Sequence, residues 1–238
     1  MAKSGKRMQA VSDRVERDRF YSPREAIALA RETATARFDE TIEVHLRTGL
    51  DGRHADQQVR GSVVLPHGLG RAMRVAVFAE GEAATLALEA GADVVGSDDL
   101  ARRFEAGELD FDVVLAQREM MPKIGRLGRL LGPRGLMPNP RNNTVLESED
   151  LARGVREAKS GRVEFRLDRT NLIHCAIGKA SFEEGQLVEN LSTLIGEIQR
   201  NRPSGGKGQM IRSAALASTM GPGIPLDVGQ VLALDGDS

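Results

Sequence analysis

The sequence predicts an α/β protein built in two styles, and three observations carry that expectation. Strand-like segments near both chain ends alternate apolar with polar residues, the mark of a sheet with one wet face. Those in the middle are apolar on both parities, as in strands covered on both sides of a parallel sheet. Helical segments lie between the central strands, and that alternation belongs to α/β domains. Breaker clusters at Pro66-His67-Gly68-Leu69-Gly70 and Ser160-Gly161 mark the changes of style, so residues 1–67 and 161–238 share one manner and residues 68–160 another.

Taken in order, Ser22-Pro23-Arg24-Glu25 joins a capping-box pattern to a proline at the first helical position. Ile27, Ala30 and Ala34 follow at helical spacing, which predicts a helix to about Arg37. Ile42, Val44 and Leu46 then alternate with Glu43, His45 and Arg47 as a strand, and a second strand is expected over Val59 to Leu65. Val75 to Ala79, Val94-Val95 and Val113 to Ala116 read as buried strands. Helices over Ala83 to Ala90 and Asp98 to Ala106 separate them, closing at Gly91 and Gly107. Residues 121–141 are rich in Gly and Pro and read as loop with room for one helical turn, before a helix near Glu149 to Lys159. Beyond Gly161, strands are expected near Arg162 to Leu167 and Leu172 to Ile177. A capping box at Ser181-Phe182-Glu183-Glu184 then opens a helix with Leu187, Leu191, Leu194, Ile195 and Ile198 on one face. Pro203 to Gly208 reads as a mobile loop, Gln209 to Ala217 as a strand and Ser218 to Pro225 as an irregular end.

Composition excludes several classes. No segment of the 238 residues approaches the roughly 20 apolar residues of a membrane helix, and the basic start is followed by charged residues where a secretion signal needs an apolar core. A single cysteine forms no internal disulfide or multi-Cys zinc site and suits a reducing compartment, so a cytoplasmic location is expected. With 33 Lys plus Arg against 34 Asp plus Glu, the net charge of −1 argues against coating nucleic acid by bulk attraction. The signs are segregated, however. Residues 79–119 hold eleven acids and three Arg, residues 121–141 five bases and no acid, and residues 198–226 four bases and no acid. Such blocks either form local anion-binding surfaces or are ordinary solvated loops.

Catalytic and cofactor patterns are not met. Gly68-Leu69-Gly70 lacks the third glycine of a dinucleotide fingerprint and runs into a strand, while Gly206-Lys207 has Asn201 and Gly208 where a P-loop needs Gly and Ser or Thr. His174 and Cys175 are strand neighbours that point to opposite faces, which excludes a nucleophile and base pair and favours a structural histidine beside a small buried thiol. The four histidines show no metal-ligand spacing. Eight aromatics are few for a protein that stacks single-stranded bases, so a nucleic-acid partner would be read by backbone, 2′-hydroxyls and shape. Two segments remain. Residues 121–141 offer open backbone N–H groups with Arg126, Arg129 and Arg134 for phosphates. Ser218-Thr219-Met220-Gly221-Pro222 offers hydroxyls, a soft apolar contact and a close backbone approach, or is simply a sheet-edge turn.

Four phrases then coincide in order: Phe38-Asp-Glu-Thr-Ile-Glu-Val-His45; Gln58-Val-Arg-Gly61 with Leu65-Pro-His-Gly68; Leu127-Gly-Arg-Leu-Leu-Gly-Pro-Arg-Gly135 with Met137-Pro-Asn-Pro140; and Ser218-Thr-Met-Gly-Pro222. Together they resemble the bacterial form of the large-subunit ribosomal protein one family, the proteins of the mobile stalk beside the tRNA exit site, from about Phe20 to Pro222. The resemblance implies a split β-α-β sheet domain made by both chain ends, with an inserted Rossmann-like α/β domain. It implies a monomer outside the ribosome, without enzymatic activity or cofactor. Its partners would be the stalk region of large-subunit rRNA, the exit-site tRNA whose deacylated form it helps release, and a similar fold in its own mRNA, whose translation it represses. Position by position, the main RNA surface would be Arg37, Phe38, Thr41 and Glu43 with Ser213, Thr219, Met220 and Gly221. Arg60 and Lys179 would be phosphate contacts, and Gly125 to Gly135 a weaker surface in the second domain.

One departure stands out. The family is often basic, whereas this chain has a pI of about 6.5, so its acidic helices at 79–119 are expected to face away from RNA and shape rather than net charge to carry affinity. The competing readings are an enzyme holding an anionic substrate at Arg126 to Arg134 and a DNA-binding protein.

Overall fold

The computed structural model describes residues 5–16, 18–203, 205 and 208–234. Residues 1–4 of the basic start and 204, 206 and 207 of the glycine-rich loop, including Gly206-Lys207, lie outside the described residues, as do 17 and 235–238. The chain forms two compact units, Met1–Gly70 with Val163–Ser238, and Arg71–Arg162.

Helix α1 (Lys6–Ser12) precedes α2 (Pro23–Thr33). The capping box of α2 is closed, with the Glu25 N–H donating to Ser22 Oγ at 3.3 Å and the Ser22 N–H to Glu25 Oε2 at 3.2 Å. The helix stops four residues short of Arg37. Ala34 leaves the helical region (ψ 86°), and the Ala36 N–H turns to the Glu40 carboxylate at 2.7 Å instead of continuing the ladder. Strand β1 (Thr41–Thr48) follows, with Ile42, Val44 and Leu46 fully buried, and then β2 (Arg60–Val64).

The second unit runs β3 (Val75–Phe78), α3 (Glu82–Glu89), β4 (Val94–Gly96), α4 (Asp98–Glu105) and β5 (Val113–Gln117). Gly91 and Gly107, at φ 97° and 96°, close the two helices in the left-handed conformation that a Cβ would strain. Residues 118–131 are more helical than the Gly and Pro content predicts. Turns at Arg118–Met120 and Gly125–Leu127 alternate with α5 (Met121–Ile124) and α6 (Gly128–Leu131). The reason is spacing: Met120, Ile124, Leu127 and Leu131 recur every three or four residues and are buried with Phe78 and Phe104. A two-residue strand that the sequence does not announce, β6 (Val145–Leu146), and α7 (Leu151–Lys159) complete the unit. The sheet order is β4-β3-β5-β6, every pair parallel, with one apolar cluster on each face, which is the Rossmann-like arrangement.

The chain then returns to the first unit with β7 (Arg162–Arg166), β8 (Leu172–Lys179), α8 (Glu184–Arg200), β9 (Ile211–Ser218), β10 (Ile224–Leu226) and α9 (Val228–Ala233). Helix α8 begins later than Ser181 predicts because Asp39 captures Ser181 through its N–H (3.1 Å) and Oγ (2.7 Å); the Glu183 N–H donates to Gln186 Oε1 instead. Leu187, Leu191, Leu194, Ile195 and Ile198 are fully buried, as their spacing predicts. The expected irregular end is ordered from Ile224 onward. Tyr21 and Pro225 to Asp227 exchange backbone hydrogen bonds of 3.0 and 2.9 Å, and Asp227 caps α9. Strands β10-β9-β1-β8 form an antiparallel sheet and β2-β7 a separate ribbon. The apolar face of the larger sheet packs against α2 and α8. Its other face presents Thr41, Glu43, His45 and Arg47. Among the described residues, no helix is long and apolar enough to cross a membrane.

Candidate nucleic-acid interface

The N-terminal end of β1 and the C-terminal end of β9 are adjacent, since Ile42 and Ser218 are partners in the antiparallel register. Beyond that pair, the Thr41 N–H donates to Thr219 Oγ1 at 2.9 Å and the Thr219 N–H returns to the Thr41 carbonyl at 3.0 Å. On the opposite side the β1–β8 register slips between Ile42 and Glu43, so Ile42 faces Gly178 but Glu43 faces Ala176. This bulge brings Lys179 level with Thr41. Its Nζ donates to Thr41 Oγ1 at 2.9 Å and to the Asp39 carbonyl at 3.4 Å. Two of its three N–H donors thereby hold the lip together.

Glu40 lies beneath this lip and is 1% exposed. Its Oε1 accepts the Ala36 N–H at 2.7 Å and its Oε2 the Met220 N–H at 2.8 Å, so a single carboxylate ties the loop before β1 to the turn after β9. Burial opposes its charge, but those two N–H groups and the nearby Arg7 outweigh it and hold the carboxyl below its usual value. Sequence reasoning passed over Glu40, although it shares the parity of Ile42, Val44 and Leu46, and an acid on the buried parity of a strand is a signal in itself. Arg7 was also missed. It sits in the basic start and donates to Thr35 Oγ1 at 3.1 Å and to the Met220 carbonyl at 3.3 Å.

Around this frame stand the residues that the resemblance assigns to an RNA surface. Phe38 is 56% and Met220 46% exposed, so neither belongs to the core. Arg37 is exposed beside Phe38, and Glu43 is half-buried one outward position along β1 from Thr41. Gly221 lies close against Ser218, and a Cβ there would force the Ser218 hydroxyl to move. Thr41, Thr219, Lys179, Met220 and Gly221 are thus brought together, with Arg37 and Phe38 on the adjoining loop. Ser213 is not. It is exposed opposite Arg47, six residues up β9 from Thr219, which at strand rise is about 20 Å away. Arg60 is exposed on the separate β2–β7 ribbon.

The basic segment of the second unit differs from its sequence expectation. The acids of residues 79–119 do not all turn away from it. Lys123 Nζ is 2.6 Å from Glu80 Oε1 and 3.5 Å from Asp98 Oδ2, while Arg126 lies 3.4 Å from Asp98 and 3.8 Å from Glu105. The turns of residues 118–131 fold the segment onto the acidic N-terminus of α4, so charges segregated along the chain are paired in space. The hydrogen bond that Lys123 donates to Glu80 holds its ammonium above its usual pKa. Arg129 and Arg134 are exposed and make no ion pair among the described residues. Arg134 lines a cleft of about 440 Å³ with Arg74, Arg103, Glu108 and Phe111.

Enzymatic features do not accumulate. His174 and Cys175 point to opposite faces. Burial, with Glu43 adding to it, pushes the Cys175 thiol up to about 12, which leaves it unreactive as a nucleophile. His174 faces solvent on the outer side of the sheet rather than serving the core. Among the described residues, no group of three or more His, Cys, Asp or Glu could hold a metal ion.

Residues 30–222 match the model of the Ribosomal protein L1p/L10e family. The chain is 56% identical to the large ribosomal subunit protein uL1 of Chloroflexus aggregans, over 96% of this chain and 97% of that protein. It is 55% identical to the protein of the same name from Thermomicrobium roseum, covering 96% and 95% of the two chains. With that from Dehalococcoides mccartyi it shares 51% identity over 99% and 100%. A match through most of the length, with relatives so similar from end to end, establishes that the chain belongs to the ribosomal protein L1p/L10e family.

Proposed function

We propose that this chain is a non-enzymatic component of the large ribosomal subunit that binds a folded segment of large-subunit rRNA through the lip at the ends of β1 and β9. The observation that carries the reading is the Glu40-centred frame, which fixes Thr41 and Thr219 while leaving Phe38 and Met220 at the surface. Hydroxyls in such a frame can bond 2′-hydroxyls and base edges, and the two apolar side chains exclude water from those bonds. Rigid donors and acceptors give shape-specific recognition that a net charge of −1 does not oppose strongly. The names of its relatives support the ribosomal assignment.

From the same reading follow its place in the cytoplasm, its role in releasing deacylated tRNA from the exit site as the stalk moves, and repression of its own mRNA. Repression needs only that the message present the same contour to the same lip, so rRNA and mRNA compete. The test is affinity for an rRNA stalk fragment. Binding is nanomolar in class, with a logarithmic salt slope of about −0.7 to −0.9 per neutralised phosphate. Met220→Asp abolishes it without unfolding the chain, because the side chain is outside the core. Parent-like affinity in that variant would assign the RNA to another surface.

A further inference from the structure

His45 and His174 stand on the open face of the four-stranded sheet, between the lip and Ser213. They are partners in the β1–β8 register. Their Nδ1 atoms are 2.8 Å apart and their rings meet edge to face, with centroids 5.0 Å apart at 63°. In the neutral pair one Nδ1–H donates to the other Nδ1. One more proton can sit on an outward Nε2 and leave that bond intact, giving an imidazolium bonded to a neutral imidazole. A second added proton would turn two N–H groups against each other and set two cations in contact. The pair therefore takes up one proton and stops.

Charged groups stand close to the pair. His174 Nε2 lies 3.7 Å from Asp168 Oδ2, and its side chain is 47% exposed. Hydrogen bonds from Thr170 and Leu172 hold the Asp168 carboxyl below its usual value, so it stays ionised. Burial, then the neighbouring imidazole, holds His45 below the ordinary histidine value, against the opposing pull of Glu43. The charged groups facing the pair are Glu43 and Arg47 from β1 and Asp168 from the β7–β8 turn. Strand β9 presents Ala215 opposite His45, between Ala217 and Ser213, and β8 flanks His174 with Leu172 and Ala176.

We propose that the His45–His174 pair is a one-proton contact for a backbone phosphate of RNA lying along this face, from the lip toward Ser213. The inference rests on the lip reading given above and also accounts for a polar residue as remote as Ser213 belonging to one surface. A phosphate over the pair favours its charged form, so RNA binding and proton uptake strengthen each other. The bound pair titrates at higher pH than the free pair. The extra affinity is therefore fully present below the free value and lost as pH rises through the bound one. A rise of one unit corresponds to about tenfold in Kd. One further neutralised phosphate steepens the salt slope by about 0.7 to 0.9.

The experiment measures affinity of the full chain for an rRNA stalk hairpin between pH 6 and 8 at several salt concentrations, in the parent, in the double variant His45→Asn with His174→Asn, and in Met220→Asp. NMR titration of the parent's histidines, with and without the hairpin, reads the pair directly. The parent should bind up to about tenfold tighter at pH 6 than at pH 8 with a steeper salt slope, the double variant should lose both trends, and the pair should titrate at higher pH in the complex. A flat parent profile, a double variant that keeps the parent's trend, or a pair that titrates identically with and without RNA overturns the proposal. If Met220→Asp still abolishes binding in any of those cases, the lip reading survives alone. Absence of saturable binding by the parent overturns both. Should the double variant fail to fold, the NMR titration decides.

Discussion

At the β1–β9 lip a few polar groups are bonded to one another, whereas residues 121–141 of the second unit carry several cations, of which Lys123 and Arg126 are paired with nearby acids while Arg129 and Arg134 make no ion pair among the described residues. Thr41, Thr219 and Lys179 are linked by hydrogen bonds, and the Glu40 carboxylate beside them joins the Ala36 and Met220 N–H groups. Lys123 and Arg126 share Asp98 and are each drawn to a further acid. The second surface looks the better polyanion binder in the sequence, but in the fold part of its positive charge is already paired. On the proposed reading, RNA is met by donors and acceptors held in fixed orientation, which matters more in a chain with no net positive charge.

The comparison breaks first at Glu40. Glu40→Ala leaves the partly buried Ala36 and Met220 N–H groups without their acceptor, at up to roughly 1–3 kcal/mol for each. Thermal unfolding should show a loss of about 3 kcal/mol, and affinity for the stalk hairpin should fall at least a hundredfold as the two segments part. Acid should imitate the mutation. The folded-state pKa of Glu40 is depressed, so its contribution is present above the unfolded carboxyl value of about 4.3 and is lost as pH falls through the lower folded value. Glu40→Gln should remove that acid-sensitive step from the unfolding profile; an unchanged profile would show that Glu40 is not what the acid disrupts.

Lys179→Met sharpens the contrast at smaller scale. It removes the tie between Thr41 and the Asp39 carbonyl but leaves the core untouched. A loss of about tenfold in affinity is expected, with less than 1 kcal/mol in stability. Because two of its three donors are spent inside the protein, the salt slope should fall by less than the 0.7 to 0.9 of a full phosphate contact. A drop of a full contact or more would make Lys179 an ordinary phosphate ligand.

Much of this arrangement was legible in the sequence, but not its keystones. The alternation of Ile42, Val44 and Leu46 declared β1, and the row from Leu187 to Ile198 declared α8, because both elements are long enough for periodicity to show. Strand β6 was invisible, since two residues have no period. Lys179 faces Thr41 only because of the bulge at Ile42/Glu43, a feature of pairing that neither strand shows alone. The ordered end at Ile224–Leu226 depends on Tyr21, some two hundred residues away in sequence. The ion pairs of Lys123 and Arg126 need the turns of residues 118–131, whereas the Gly and Pro content of residues 121–141 predicts loop with room for one helical turn. Local pattern reports elements, and contacts of high sequence separation escape it.

The basic segment offers the smaller tests. Arg134→Ala, removing an exposed cation without an ion pair among the described residues, should weaken RNA binding a few-fold and lower the salt slope by at most one contact. Arg126→Ala should change affinity less than twofold, since the acids beside it already answer its charge. Equal effects from the two would mean that these surface pairs open freely in solution.

Asp98→Asn tests the same balance from the acidic side. Asp98 is the carboxylate shared by Lys123 and Arg126, and its side chain is about half exposed, so the pairs contribute little to stability and the variant should unfold within about 0.5 kcal/mol of the parent. Neutralising it leaves Glu80 to hold Lys123 and gives Arg126 only the 3.8 Å approach of Glu105. Arg126 then becomes available, and affinity for RNA should rise about twofold at low salt while the slope steepens. At high salt the gain should vanish, because a solvent-exposed charge is screened within about 10 Å at 0.1 M. A gain that survived high salt would mean that Asp98 restrains the shape of the segment rather than its charge.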